Sequence, residues 1–233
     1  MRSARMAVAF SILGLLLGGV AASSEVVQAI LFGWAALSLA MVGVAYAGAA
    51  SFIFRKNPRS GQLPWHRKLI LLPYLGSTSL LWHAARVFSR APPFGELAPG
   101  LIIGRRLRCA EYPPGVRTIV DLTHELEERW PGGESASYLS LPILDGAPLR
   151  PDELKRVALQ IASVERPVYL HCALGHGRTA MVAGAVLITL RLSSSPDDAL
   201  TRIAAVRPGA RPNREQRNAL EACARFTHPG GRE

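Results

Sequence analysis

Residues Met6–Ser24 carry no charged side chain over 19 positions, and Val26–Phe54 carry none over 29, with Glu25 alone between them. About 20 apolar residues suffice for a helix to cross a bilayer, and in hydrocarbon only a helix or a closed barrel satisfies its own backbone. Both stretches are therefore predicted as membrane-spanning helices joined by a tight turn, a transmembrane hairpin over residues 1–54. Arg2 and Arg5 ahead of the first stretch, with small residues after it, also suit a cleaved signal peptide. In that case the second stretch alone remains as the anchor.

The charge balance follows the same division. The chain carries +10 overall, with 27 Lys/Arg against 17 Asp/Glu. Residues 1–90 hold nine of those cations (Arg2, Arg5, Arg55, Lys56, Arg59, Arg67, Lys68, Arg86 and Arg90) against Glu25 alone, whereas the other 143 residues hold 18 against 16. Excess charge that flanks apolar segments is the positive-inside pattern, so nucleic acid is not an expected partner. It predicts a multi-pass protein of the inner or plasma membrane, with everything beyond residue 55 in the cytoplasm and the basic stretch against anionic headgroups. Residues 69–88 are a third apolar stretch, interrupted by Pro73 and Gly76 and carrying His83 and Arg86. They read as an interfacial or re-entrant segment; a third crossing would instead move the rest of the chain to the opposite side.

Beyond Pro99-Gly100 the pattern alternates. Leu101–Ile103, Arg117–Leu122, Tyr138–Leu144 and Pro167–His171 are short strand-like runs. Between the last two, Pro151–Val164 opens with proline and two acids and repeats Leu154, Val157, Ala158 and Ile161 at helical spacing. Thr179–Arg191 is an apolar helix too short to span a membrane. Ser195-Pro196-Asp197-Asp198 is a helix start, with a capping serine, proline in the first turn and acids against the dipole. A last helix covers about 213–226. Strands alternating with helices predict an α/β fold, a central sheet flanked by helices. The expected division is a hairpin over 1–54, a basic juxtamembrane and interfacial segment with linker over 55–96, a catalytic domain over 97–227 and a disordered tail over 228–233.

The chemistry concentrates in residues 171–179: His171, Cys172, Ala173, Leu174, Gly175, His176, Gly177, Arg178 and Thr179. A strand running into a tight turn and then a helix gathers successive backbone N–H groups around one point, and such a concavity binds a phosphate dianion. The N–H groups of Ala173, Leu174, Gly175, His176 and Gly177 are the candidates. The same field favours the ionised form of the Cys172 thiol. Arg178 at the far end of the loop presents a planar fork to two phosphoryl oxygens, and the Thr179 hydroxyl can donate to sulfur. The three cysteines, Cys109, Cys172 and Cys223, are too few and scattered for a disulfide framework. Cys109 or Cys223 could shield Cys172 in a reversible disulfide, although two idle thiols is the plainer reading.

This run resembles the signature loop of the protein tyrosine phosphatase superfamily, His-Cys, five residues, Arg, then Ser or Thr, with every fixed position filled. Rhodanese-type sulfurtransferases also cradle an anion around a cysteine, but in a loop usually one residue shorter. The resemblance extends over about residues 97–222 and is closest to the dual-specificity branch. It implies that branch's central sheet, a phosphocysteine intermediate, and no cofactor or metal; His171 and His176, five apart on a turn, make poor metal ligands. It also implies a general acid on a loop some distance before the cysteine. Asp145, 27 residues before Cys172 on a Gly/Pro-bounded loop, fits that role, with Asp152 as the alternative. His171 would help order the loop. Arg207-Pro208, Asn213 and Gln216 resemble the family's Arg-Pro and the start of its last helix, and Glu125 and Gln216 are expected to be structural or exposed.

The implied activity is that of a membrane-anchored dual-specificity phosphatase acting on phosphotyrosine and phosphoserine/threonine in proteins. The alternative is a lipid phosphatase acting on a phosphorylated headgroup, which an anchor favours through effective concentration. Phosphoinositide phosphatases of this superfamily commonly carry lysines inside the loop, where this chain has Ala173 and His176. A less charged lipid such as a phosphatidylglycerol phosphate stays open.

Overall fold

The computed structural model describes residues 2–57, 60–89, 91–128 and 136–227. The expected tail 228–233 and the cations Arg59 and Arg90 lie outside the described residues. The chain divides into two compact units, one of Met1–Asn57, Gly61–Phe88 and His124–Glu127, the other built mainly on Ser89–Thr123 and Glu128–Glu233.

The first unit is helical. It comprises α1 (Arg2–Ala22), α2 (Val26–Val44), a widened turn (Ala45–Ala49), the short α3 (Ala50–Ile53) and α4 (Trp65–Phe88). Its α1 and its α2 as continued through the widened turn are long and apolar enough to cross a membrane. Small residues let these two helices meet closely: a Cβ on Gly14 would lie 3.0 Å from the Ala36 carbonyl, and one on Gly43 would lie 3.1 Å from the Ala7 carbonyl. The two contacts run in opposite directions along the two helices, as a hairpin requires. Leu15, Leu16, Val26, Val27 and Leu31 stay exposed on the outside of the pair.

The stretch 69–88, expected as interfacial or re-entrant, lies within one unbroken helix of 24 residues despite Pro73 and Gly76. Proline has no N–H to offer the carbonyl four residues back. That carbonyl belongs to Leu69, and it accepts instead from the Trp34 indole at 2.9 Å. One turn on, the Tyr74 N–H donates to Ser38 Oγ at 3.4 Å. The Trp34 indole of α2 therefore sits where α4 lacks its own hydrogen bond, with Ser38 beside the next residue. Two cations of the basic stretch have partners within the same unit. Lys56 is buried and donates to the Leu126 carbonyl, and Lys68 pairs with Glu127 at 2.9 Å. Protein oxygens thus engage both ammonium groups.

The second unit holds a five-stranded sheet: β1 (Phe94–Ala98), β2 (Leu101–Arg105), β3 (Thr118–Thr123), β4 (Ser137–Ile143) and β5 (Val168–Cys172), in the order β1-β2-β5-β3-β4. The β1–β2 pair is antiparallel and the rest are parallel. The expected boundary at residue 97 cuts through β1, a five-residue edge strand whose Phe-Gly-Glu-Leu-Ala sequence lacks a β-branched run. Helices α5 (Pro151–Ser163), α6 (Gly177–Thr189), α7 (Pro196–Val206) and α8 (Arg214–Thr227) complete the unit. The Ser195 cap is present, its Oγ accepting the Asp198 N–H at 3.1 Å.

Strand alternation sorts the side chains by face. Val168, Leu170 and Cys172 of β5 join the main core with α6, which is buried from Arg178 to Ile188. Tyr169 belongs to a second cluster with Leu107, Val116 and Ile119. The middle strand of the sheet therefore ends at Cys172, with sulfur on the α6 side and His171 on the other.

Candidate active site

Cys172 is 3% exposed at the carboxyl end of β5, and α6 begins five residues later. The intervening turn is held from outside by two arginines. The Arg106 backbone N–H donates to the carbonyls of Cys172 (2.9 Å) and Ala173 (3.2 Å). Arg207, buried, donates from Nη2 to the Leu174 carbonyl at 2.7 Å and from Nε to the Gly175 carbonyl at 3.0 Å. Its Nη1 donates to the Pro92 carbonyl. In a trans peptide the N–H points opposite to its carbonyl. Four tethered carbonyls consequently aim the N–H groups of Ala173, Leu174, Gly175 and His176 away from their tethers.

Gly175 permits this path. Its φ is +69°, and a Cβ there would collide with the Gly104 carbonyl and the Arg207 guanidinium. Arg178 in the first turn of α6 is 2% exposed, donates from Nη1 to the Ile143 carbonyl at 3.0 Å, and lies through Nη2 3.2 Å from Asp145 Oδ1. The exposed Asp145 is thereby brought beside the arginine on the loop that follows β4. Asp152, the alternative acid, is engaged with Arg150 at 3.1 Å and Arg156 at 3.8 Å. Burial, then the nearby Arg207 guanidinium, lower the His176 pKa from its ordinary 6.5 and favour its neutral form.

One expected contact comes out differently. Thr179 is carried into the core by the first turn of α6, and its hydroxyl has no hydrogen-bond partner among the described residues, sulfur included. His171 is fully buried, its Nδ1 3.4 Å from the Cys172 carbonyl and its Nε2 3.5 Å from Glu128 Oε2. Glu128 is itself 1% exposed and lies 3.5 Å from Arg106 Nε. Burial, then Glu128, push the Tyr112 phenol well above its ordinary pKa of 10. A buried carboxylate, a cation and an imidazole thus back the strand end that carries the nucleophile candidate. Nothing in the spacing of Glu128 or Arg106 marks them out in the sequence; for Arg207 the only signal is its place in an Arg-Pro pair.

Solved structures share this fold. A mouse putative dual specificity phosphatase complexed with zinc tungstate is 23% identical, with a TM-score of 0.53 over 62% of this chain and 97% of that one. Human DUSP28 is 21% identical, with a TM-score of 0.51 over 58% and 95%. PTPMT1 in complex with PI(5)P is 17% identical, with a TM-score of 0.50 over 59% and 98%. No curated protein matches the chain in sequence. A family model described as Swiss Army Knife protein, DSP-PTPase phosphatase domain, matches residues 106–223, half of the chain, and the protein belongs to that family of dual-specificity-type, cysteine-dependent phosphatases.

Proposed function

We propose that this protein is a membrane-anchored phosphomonoester hydrolase of the dual-specificity type, acting on phosphotyrosine and phosphoserine/threonine with its catalytic unit in the cytoplasm. The convergence of Asp145 and Arg178 at 3.2 Å over the turn that starts at Cys172 carries this reading. The Cys172 thiolate attacks phosphorus, and the bond to the leaving oxygen breaks as Asp145 delivers its proton to that oxygen. The turn's N–H groups and the Arg178 fork hold the three equatorial oxygens as charge spreads over them. Water then attacks the phosphocysteine, its proton passes to the Asp145 carboxylate, and the thiolate departs.

The anchor supports a second substrate class, a phosphorylated lipid headgroup: two apolar helices would keep the site at a membrane surface. The full chain in detergent micelles should hydrolyse p-nitrophenyl phosphate with chelator present, and Cys172→Ser should abolish turnover. Arg178→Lys should cost about 10²–10³-fold in kcat/KM, since a point charge cannot replace the bidentate fork. Retained turnover in Cys172→Ser removes the mechanism. Phosphopeptides and phospholipids assayed side by side decide between the two substrate classes.

A further inference from the structure

We infer that Asn213 and Gln216 position the loop that carries Asp145, so that one end of α8 sets the distance between the general acid and Arg178. The inference rests on the phosphatase reading above.

Asn213 directly precedes α8 and caps it. Its Oδ1 accepts the Gln216 N–H at 3.0 Å, and Gln216 Oε1 accepts the Asn213 N–H at 3.1 Å. This reciprocal pair is a capping box, and it consumes both side-chain oxygens. Both amide nitrogens remain, and both turn to the acid loop. Asn213 Nδ2 donates to the Gly146 carbonyl at 2.8 Å, and Gln216 Nε2 donates to the Ala147 carbonyl at 3.2 Å. Gly146 and Ala147 are the two residues that follow Asp145.

Helix capping does not call for amides at these positions. Aspartate or serine caps as well as asparagine, and glutamate is a usual partner at the third helical position, favoured also by the dipole. What the amides add is a donor each. Gln216 is also 1% exposed, and a Cβ on Gly177 would lie 2.6 Å from its Oε1. One buried carboxamide therefore contacts both the acid loop and the residue just before Arg178. Asn213 and Gln216 do not meet the reacting atoms; they act through Asp145 as positioning residues.

The test separates cap from clamp. Asn213→Asp and Gln216→Glu keep the capping oxygens and lose the donors, and Asn213→Ser does the same without adding charge. Each variant is made in the full chain in detergent, then assayed on aryl phosphates of rising leaving-group pKa and on a phosphoserine peptide. The thermal midpoint of Asn213→Ser should stay within about 2 °C of the parent, because the cap is intact. With p-nitrophenyl phosphate, kcat should change less than about threefold, because that leaving group scarcely needs a proton. With phenyl phosphate and phosphoserine it should fall roughly 10- to 100-fold at unchanged KM, the scale of loss expected when a catalytic group is displaced by about 1 Å. Asp145→Asn added to Asn213→Ser should then cost little more. An equal loss on every leaving group, no loss on any, or a midpoint that falls in step with activity in Asn213→Ser would overturn the inference. A parent chain inactive on every phosphomonoester would instead remove the phosphatase reading beneath it.

Discussion

Arg207 shows how much one side chain can decide at a distance. It stands 35 residues after Cys172 in the sequence, yet its guanidinium ties down two consecutive carbonyls of the turn. Hydrogen bonds from a charged donor are worth about 1.5–3 kcal/mol each, and a buried carbonyl left without one is penalised further. Lysine reaches only one point in space. Arg207→Lys should therefore lower kcat/KM on aryl phosphates by roughly 10- to 100-fold and weaken vanadate binding, measured by calorimetry, in the same proportion. Unchanged vanadate affinity would mean that the turn keeps its N–H groups aligned without the fork. The nine-residue loop itself was legible as a string, since nucleophile, glycines and arginine lie within one run. Its supports were less so: Arg106 and Glu128 carry no signal and Arg207 only its Arg-Pro pair, and all three reach the loop across the fold and not along the chain.

Elements followed their local signals closely. Alternating apolar runs became β2 to β5, helical spacing became α5, and Ser195 capped α7 as its neighbours implied. The departures occur where a partner element overrides a local signal. Pro73 and Gly76 mark a break by propensity, but α2 supplies Trp34 to the carbonyl that Pro73 strands, and the helix continues. A double-mutant cycle can measure that replacement. Trp34→Phe should destabilise the helical unit in detergent by about 0.5–1.5 kcal/mol, and the loss should shrink once Pro73→Ala gives Leu69 its own helical donor. Additive effects of the two changes would show that the indole bond does not compensate for the proline. The missed β1 has the converse cause: a five-residue edge strand with little intrinsic preference becomes ordered by pairing with β2.

Over the whole molecule, composition and charge divide the chain in two before any fold is known. The apolar hairpin with cations at both ends predicts a cytoplasmic catalytic unit, and Cys109 offers a probe, being exposed while Cys172 and Cys223 are buried. A membrane-impermeant maleimide should label Cys109 only after cells are opened. Labelling of intact cells would place the catalytic unit outside, as a third crossing by α4 requires. What the sequence by itself determined is whatever depends on near neighbours: the long apolar helices, the strand and helix periods, the caps and the order of residues in the anion loop. Tertiary structure alone decided which polar groups satisfy one another. The bonds from Arg207 to Gly175 and from Asn213 to Gly146 join residues 32 and 67 positions apart. No spacing rule reaches across such gaps; they close only once the sheet and its helices have packed and brought each donor to its carbonyl.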